Sequence, residues 1–351
     1  MSDKIDAPPG PPKKTLDAGK DFIAPIDENA PPPRHVFRWD LDKTYLKTDF
    51  DSFKGLWKSA FEKAEDKQAM PGAAALLRAF RKLDGARVTF ISGSPQQMRK
   101  TLTRKLALDG VEFDEFILKH NLRNLLRGRF RAVKEQVGYK LPALLAGRSR
   151  CVAATGETCF GDDAEADAFV YSLFADLLSG GVDVNLLEQI LERARVYPDD
   201  AARTLELARG LERADAVGRI FIHLERHSPT ARFDRYGARL VPIYNYFQAG
   251  LVLVEDGLFP VEVAAAIAAE MVDKFEYTSL ALRNSVEDLV RRGRIRPATV
   301  ARLAAACSGS LAELASRLLY INVPPGAPPL AAPIDYLAAF DDDARARDKK
   351  K

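Results

Sequence analysis

The stretch His35-Val36-Phe37-Arg38-Trp39-Asp40-Leu41-Asp42-Lys43-Thr44 decides the fold. A short β-rich run gives out at Trp39, and two carboxylates, Asp40 and Asp42, follow at once, two residues apart. Runs of the same kind recur downstream as ARVTFISGS (86–94), ETCFGDD (157–163), RIFIHLER (219–226) and RLVPIYNY (239–246). Between them, PGAAALLRAFRKL (71–83) and AEADAFVYSLFADLLSG (164–180) place apolar residues at helical spacing. Alternation of this kind predicts an α/β fold, a parallel sheet with helices on both faces.

Outward from this core the chain divides by composition. Residues 1–33 are rich in proline and charge and read as a disordered leader, and residues 323–351 read as a disordered tail. Residues 34–257 form the expected α/β domain, with a helical insertion at about 183–214 that carries no strand signal. Residues 258–322 read as an Ala-rich C-terminal helical region.

Charge and cysteine content exclude several function classes. Fifty-two Lys and Arg against 49 Asp and Glu leave a net charge of +3, too near balance to announce a nucleic-acid partner. Cys151, Cys159 and Cys307 are scattered, so neither a disulfide framework nor a zinc cluster is expected. The first residues carry charge and proline where a signal peptide needs an apolar run, and no apolar stretch is long enough to span a bilayer. A cytoplasmic location is therefore expected. No P-loop, GxGxxG, HExxH or GxSxG elbow is present.

In open α/β sheets chemistry gathers at the carboxyl ends of strands. Three runs put polar groups there. Of Asp40 and Asp42, one can act as a nucleophile held against a cation while the other transfers protons. Ser92 leaves the end of the second run, and a helix starting near Pro95 would offer N–H groups to a phosphate oxygen. The third run, Gly161-Asp162-Asp163-Ala164-Glu165-Ala166-Asp167, is again acidic. Carboxylates gathered at one locus repel unless a cation sits among them, and hard oxygen donors without His or Cys suit Mg²⁺.

In this order of motifs the chain resembles the haloacid dehalogenase (HAD) superfamily of aspartyl-phosphate enzymes. The resemblance implies a Rossmann-like core, a Mg²⁺ cofactor and two-step phosphoryl transfer. It casts Asp40 as nucleophile, Asp42 as general acid/base with its backbone carbonyl on the metal, and Ser92 as a phosphoryl-oxygen ligand. Asp162 would complete a metal set of Asp40, Asp42, Asp162 and Asp163, with Asp167 in support. A phosphate-binding lysine is also implied. Lys140, some twenty residues before Asp162, is preferred over Lys134 and Lys119.

The intervals between Asp40 and Ser92, and between Ser92 and Lys140, leave room for only a minimal cap, so bulky substrates are expected. The sequence of ISGSP, Tyr139-Lys140, GDDAEADAFVY and RIFIH further resembles the catalytic domain of actin-patch-associated phosphatidate phosphatases and their bacterial relatives, over about Arg34 to Gly257. That implies a phosphomonoester substrate such as phosphatidate. Two alternatives stay open: a non-catalytic scaffold that keeps the fold, and a nucleic-acid end phosphatase.

Arg123, Arg127 and Arg131 lie at helical spacing beside an apolar stripe. They read first as a solvated helix face and second as a contact for an anionic membrane surface. His223 and His227 lack an acidic partner at ligand spacing and read as structural, as do His35 and His120. Phe53, Trp57 and Phe61, and likewise Tyr244, Tyr246 and Phe247, read as core before pocket lining.

Overall fold

In a computed structural model of the chain, which describes residues 31–47, 63–119 and 133–348, six parallel strands form one sheet. They are β1 (His35–Trp39), β2 (Ala86–Pro95), β3 (Glu115–Lys119), β4 (Gly156–Asp162), β5 (Val217–His223) and β6 (Leu240–Ile243). Their order is β3-β2-β1-β4-β5-β6, which reverses direction of growth between β1 and β4. Such a switch point opens a crevice outside the carboxyl ends of those two strands. β3 is absent from the runs picked out in the sequence. Its five residues, EFILK, are too short a signal beside the basic stretch that follows.

Strand side chains alternate between the faces with period two. Phe37, Trp39, Phe90, Phe116, Phe160 and Phe221 share one hydrophobic cluster, while Ile91, Ile117, Cys159, Ile220 and Ile222 belong to the other. The first face is aromatic: Trp39 stacks on Phe160 at 4.1 Å, and Phe160 on Phe221 at 5.0 Å. It is covered by α1 (Ala73–Phe80) and by α7 (Tyr246–Glu255), and α8 (Val261–Phe275) packs over those two helices. α2 (Arg99–Leu108) joins β2 to β3 and contributes Leu102 and Leu106 to the same cluster. The second face is covered by α3 (Val133–Arg148), α4 (Asp167–Ser179) and α5 (Val184–Arg193). α5 and α6 (Pro198–Arg209) occupy the stretch expected to be a helical insertion. A buried ion pair joins Arg38 of β1 to Glu157 of β4, with Arg38 Nη2 donating to Glu157 Oε1 at 3.1 Å.

The C-terminal helices α9 (Ser279–Arg291), α10 (Pro297–Ala306) and α11 (Ala312–Leu318) bury Leu282, Val286, Leu303 and Leu314 in the cluster that includes the aromatic sheet face. They extend the sheet's core rather than building one of their own. The tail differs from the disorder expected of it. Residues Tyr336–Asp348 form α12, and Tyr336 is buried edge-on against Phe169 of α4 at 5.5 Å. Its hydroxyl donates to Asp176 Oδ2 at 2.7 Å. Phe340 of the same helix also meets Phe169, at 6.1 Å, and proline and charge density around the segment hide these two aromatic anchors.

Among the described residues, no helix is long and apolar enough to cross a membrane.

Candidate active site

Asp40 directly follows β1, and its N–H donates to the Phe160 carbonyl of β4 at 2.8 Å. The register that pairs Trp39 with Phe160 thus sets Asp40 beside the end of β4, where Asp162 sits. Ser92 lies near the end of β2 on the other flank of β1. Three strand ends therefore deliver the three sequence motifs to one crevice.

Lys140 comes from below them. On α3, Val137, Leu141, Leu144 and Leu145 form the buried stripe, and Lys140 falls within it. Its ammonium is fully buried and lies 3.0 Å from Asp40 Oδ1 and 2.9 Å from Glu165 Oε2, and it also pairs with Asp167. The adjacent Tyr139 hydroxyl donates to the Ser92 carbonyl at 2.9 Å, which ties the helix to the end of β2. Of the other candidate lysines, Lys119 lies on β3 and Lys134 in the first turn of α3.

Gly161 makes room for this arrangement. A Cβ there would overlap the Asp167 carboxylate, whose Oδ2 accepts the Asp162 N–H at 3.2 Å.

Asp42 faces a different set of partners. Its Oδ2 accepts from Ser92 Oγ at 2.9 Å and from Ser94 Oγ at 2.6 Å, while its buried Oδ1 accepts no hydrogen bond. Burial pushes this carboxyl above its ordinary range, and the Ser94 hydroxyl opposes the shift.

Four carboxylates form a compact group. One oxygen from each of Asp40, Asp162, Glu165 and Asp167 lies within 4.8 Å of the others. This differs from the expected set of Asp40, Asp42, Asp162 and Asp163. Asp42 is held by the two serines. Asp163 turns away: its Oδ1 accepts the Arg226 N–H at 2.8 Å and its Oδ2 the Ser228 N–H at 3.0 Å. It anchors the loop that leaves β5. Two adjacent acids at a strand end point in different directions, so one enters the crevice and the other is taken by the neighbouring strand's exit.

Within the group the oxygens divide by role. Lys140 takes Asp40 Oδ1, Glu165 and Asp167. Asp162 Oδ1 accepts the N–H groups of Ala164 at 2.6 Å and Glu165 at 2.9 Å. Asp40 Oδ2 and Asp162 Oδ2 instead converge on Thr44 Oγ1, at 3.3 and 3.5 Å. These carboxylate oxygens, hard donors gathered in one place, could hold a metal ion.

Burial and neighbouring charges perturb each member of the group. Burial drives Asp40 and Asp162 well above the carboxylate range; Lys140 opposes the shift at Asp40, whereas Glu165 and Asp167 add to it at Asp162. Burial raises Asp167 too, against the pull of Lys140. Burial alone would lower the Lys140 ammonium, but Asp167, Asp40 and Glu165 outweigh it and hold it well above its usual value.

The raised acids bind protons more tightly folded than unfolded. Their contribution to stability is thus present at low pH and lost as pH rises above the unfolded carboxylate range. A divalent cation should reverse that loss. Excess Mg²⁺ is expected to raise Tm by several degrees at pH 8, following about 2.7 kcal/mol at a hundredfold excess over Kd, and by clearly less at pH 5. Thermal scans with and without chelator check this, and an equal shift at both values would count against a carboxylate-held cation.

Thr44, Ser94, Tyr139 and Glu165 were not among the assigned site residues. Thr44 and Ser94 close the DLDKT and SGS stretches, where their hydroxyls were visible. Nothing local marks Tyr139. Tyr246 and Phe247 are core, whereas Tyr244, also expected there, is exposed; Tyr246 stacks on Trp39 at 5.1 Å and bonds the Thr44 carbonyl. His223 is buried against Tyr246, and burial lowers its pKa. Arg123, Arg127, Arg131, His120, Phe53, Trp57 and Phe61 lie outside the described residues.

No curated protein and no solved structure matches the chain. Residues 39–186 match the family model of the phosphatidate phosphatase APP1 catalytic domain. The match takes in Asp40, Asp42, Ser92, Lys140, Asp162 and Asp167 and stops short of β5 and β6, which the sequence resemblance also spanned. Over those residues, the chain is similar to a phosphatidate phosphatase catalytic domain.

Proposed function

We propose that the protein is a Mg²⁺-dependent phosphatase of the HAD type, acting on a phosphomonoester with phosphatidate or another bulky phosphate as its substrate class. The observation that carries this reading is the division of labour between two buried carboxyls two residues apart. Asp40 faces the Lys140 ammonium at 3.0 Å, whereas Asp42 Oδ2 is held by the Ser92 and Ser94 hydroxyls.

The chemistry follows from that asymmetry. Lys140 favours the ionised form of Asp40, whose carboxylate attacks phosphorus and forms an aspartyl-phosphate. Asp42 is the general acid: its Oδ2 accepts from both serines, which leaves the unpartnered Oδ1 to deliver a proton to the leaving oxygen. The same carboxylate then takes a proton from water as water attacks the phosphoenzyme and frees phosphate. Ser92 and Lys140 hold phosphoryl oxygens. Mg²⁺, held by Asp40, Asp162 and the Asp42 backbone carbonyl with Glu165 and Asp167 beside them, would neutralise phosphoryl charge. Asp163 positions the β5 exit loop.

The test is phosphate release from phosphatidate micelles and from an aryl phosphate, with and without Mg²⁺. Asp42→Asn is expected to lower kcat on the unactivated ester by about 10²- to 10⁴-fold, the usual range for a general acid/base. It should lower it much less on the aryl phosphate, whose leaving group needs no proton. Equal losses on both esters would remove Asp42 from the acid role, and no Mg²⁺-dependent release from any phosphomonoester would overturn the reading.

A further inference from the structure

No catalytic step uses Ser94, although its hydroxyl reaches the general acid. β2 carries it two residues after Ser92, so the two side chains share a face of the strand. Both are buried, and both hydroxyls donate to the same oxygen, Asp42 Oδ2. The backbone that bears them is pinned from two sides. Tyr139 of α3 donates to the Ser92 carbonyl, and Gln96 Nε2 donates to the Leu118 carbonyl of β3 at 2.9 Å.

Proton inventory separates the two serines. A hydroxyl has one proton and two lone pairs. Ser92 Oγ accepts the Ser94 N–H at 3.0 Å, and its single proton is directed at Asp42. When Ser92 turns that proton to a phosphoryl oxygen, Asp42 Oδ2 loses one of its two donors. Ser94, whose Oγ stands at 2.6 Å against 2.9 Å for Ser92, still holds it.

We propose that Ser94 is the positioning residue of the general acid: it holds Asp42 Oδ2 while Ser92 serves the phosphoryl group, so that Oδ1 stays free for the leaving oxygen. The proposal rests on the phosphatase reading and deepens it. In the first half-reaction a bond forms from Asp40 to phosphorus, the bond from phosphorus to the alcohol oxygen breaks, and the Asp42 proton moves to that oxygen. Asp42 is then a carboxylate, and a hydrogen bond to a charged oxygen is roughly twice as strong as one to a neutral oxygen. Ser94 therefore stabilises the transition state more than the ground state, and only where the leaving group takes a proton.

Two monomeric esters, propyl phosphate and para-nitrophenyl phosphate, test this on the full chain with Mg²⁺. The readout is kcat/KM, which ends at alcohol release and leaves out hydrolysis of the phosphoenzyme. Ser94→Ala is expected to lower kcat/KM for propyl phosphate by about ten- to a hundredfold, the range for one hydrogen bond to a charged group. It should lower it much less for para-nitrophenyl phosphate, whose leaving group departs without a proton. Ser92→Ala, which loses a phosphoryl contact, should lower it on both esters. Ser94→Thr keeps the hydroxyl and should keep the wild-type ratio between the esters, even where its absolute rate falls.

An equal loss on both esters in Ser94→Ala marks a structural role and overturns the proposal. A Ser94→Thr ratio matching that of Ser94→Ala overturns it too. Asp42→Asn on the same esters separates this failure from failure of the phosphatase reading. If Asp42→Asn discriminates between the esters and Ser94→Ala does not, the proposal alone falls. If the wild type hydrolyses neither ester, or Asp42→Asn loses equally on both, the proposal falls together with the acid role it rests on.

Discussion

Asp40→Asn is expected to lower phosphate release by about 10⁴-fold or more while leaving the fold intact, as removal of a covalent nucleophile does. The amide is nearly isosteric with the carboxyl and can still accept from Thr44, which lies 3.3 Å from Oδ2. It cannot attack phosphorus, and it removes one of the three carboxylates around Lys140. The decisive readout is the covalent intermediate. Acid-quenched protein incubated with ³²P-labelled substrate should retain label in the wild type and none in Asp40→Asn. A loss of activity below tenfold, or label persisting in the variant, would reassign the nucleophile.

Lys140→Ala carries the second large effect, on both activity and stability. The ammonium is fully buried and stands among Asp40, Glu165 and Asp167, of which Asp40 and Asp167 are buried as deeply. Removing one partner of a buried ion pair costs about 3–5 kcal/mol because the remaining charge is left uncompensated. The loss depends on pH with a definite sign. Without Lys140, Asp40 and Asp167 can relieve the strain by keeping their protons, which they do at pH 5 more readily than at pH 8.

Urea denaturation of the metal-free variant should therefore show a deficit at pH 8 that shrinks at pH 5. In the wild type, the Lys140 contribution is raised in the folded state. It is fully present below the ordinary lysine value and disappears only as pH climbs through the higher folded one. Activity of Lys140→Ala should fall with the ionised fraction of Asp40. Lys140→Arg is not expected to rescue it, since the planar fork does not fit three oxygens gathered round one nitrogen. A deficit below about 1 kcal/mol at pH 8, well under the buried-pair range, would show that the carboxylates are compensated by something else.

The sequence by itself determined which residues stand at the ends of which strands. The apolar runs before Asp40, Ser92 and Asp162 are strand-like, and each polar residue marks where the apolar run gives out, so α/β class and motif order were legible without coordinates. Lys140 was legible only through the resemblance, which asks for a lysine some twenty residues before Asp162; that it sits inside a buried stripe of α3 came from the structure. Contacts between elements far apart in the chain were not. Whether Asp162 or Asp163 enters the crevice depends on the exit loop of β5, some sixty residues on, which draws Asp163 out through two N–H groups.

Glu165 joins the carboxylate group because Lys140 reaches it from α3, and Asp167 approaches so closely only because Gly161 has no side chain in its way. The tail looked unable to form a core, but Tyr336 finds one already made on α4. In each case local composition sets what a segment can do, whereas the direction of a side chain at a strand end, or the burial of one aromatic, is set by the neighbour it meets. That neighbour exists only once the sheet has closed, with β1 and β4 side by side.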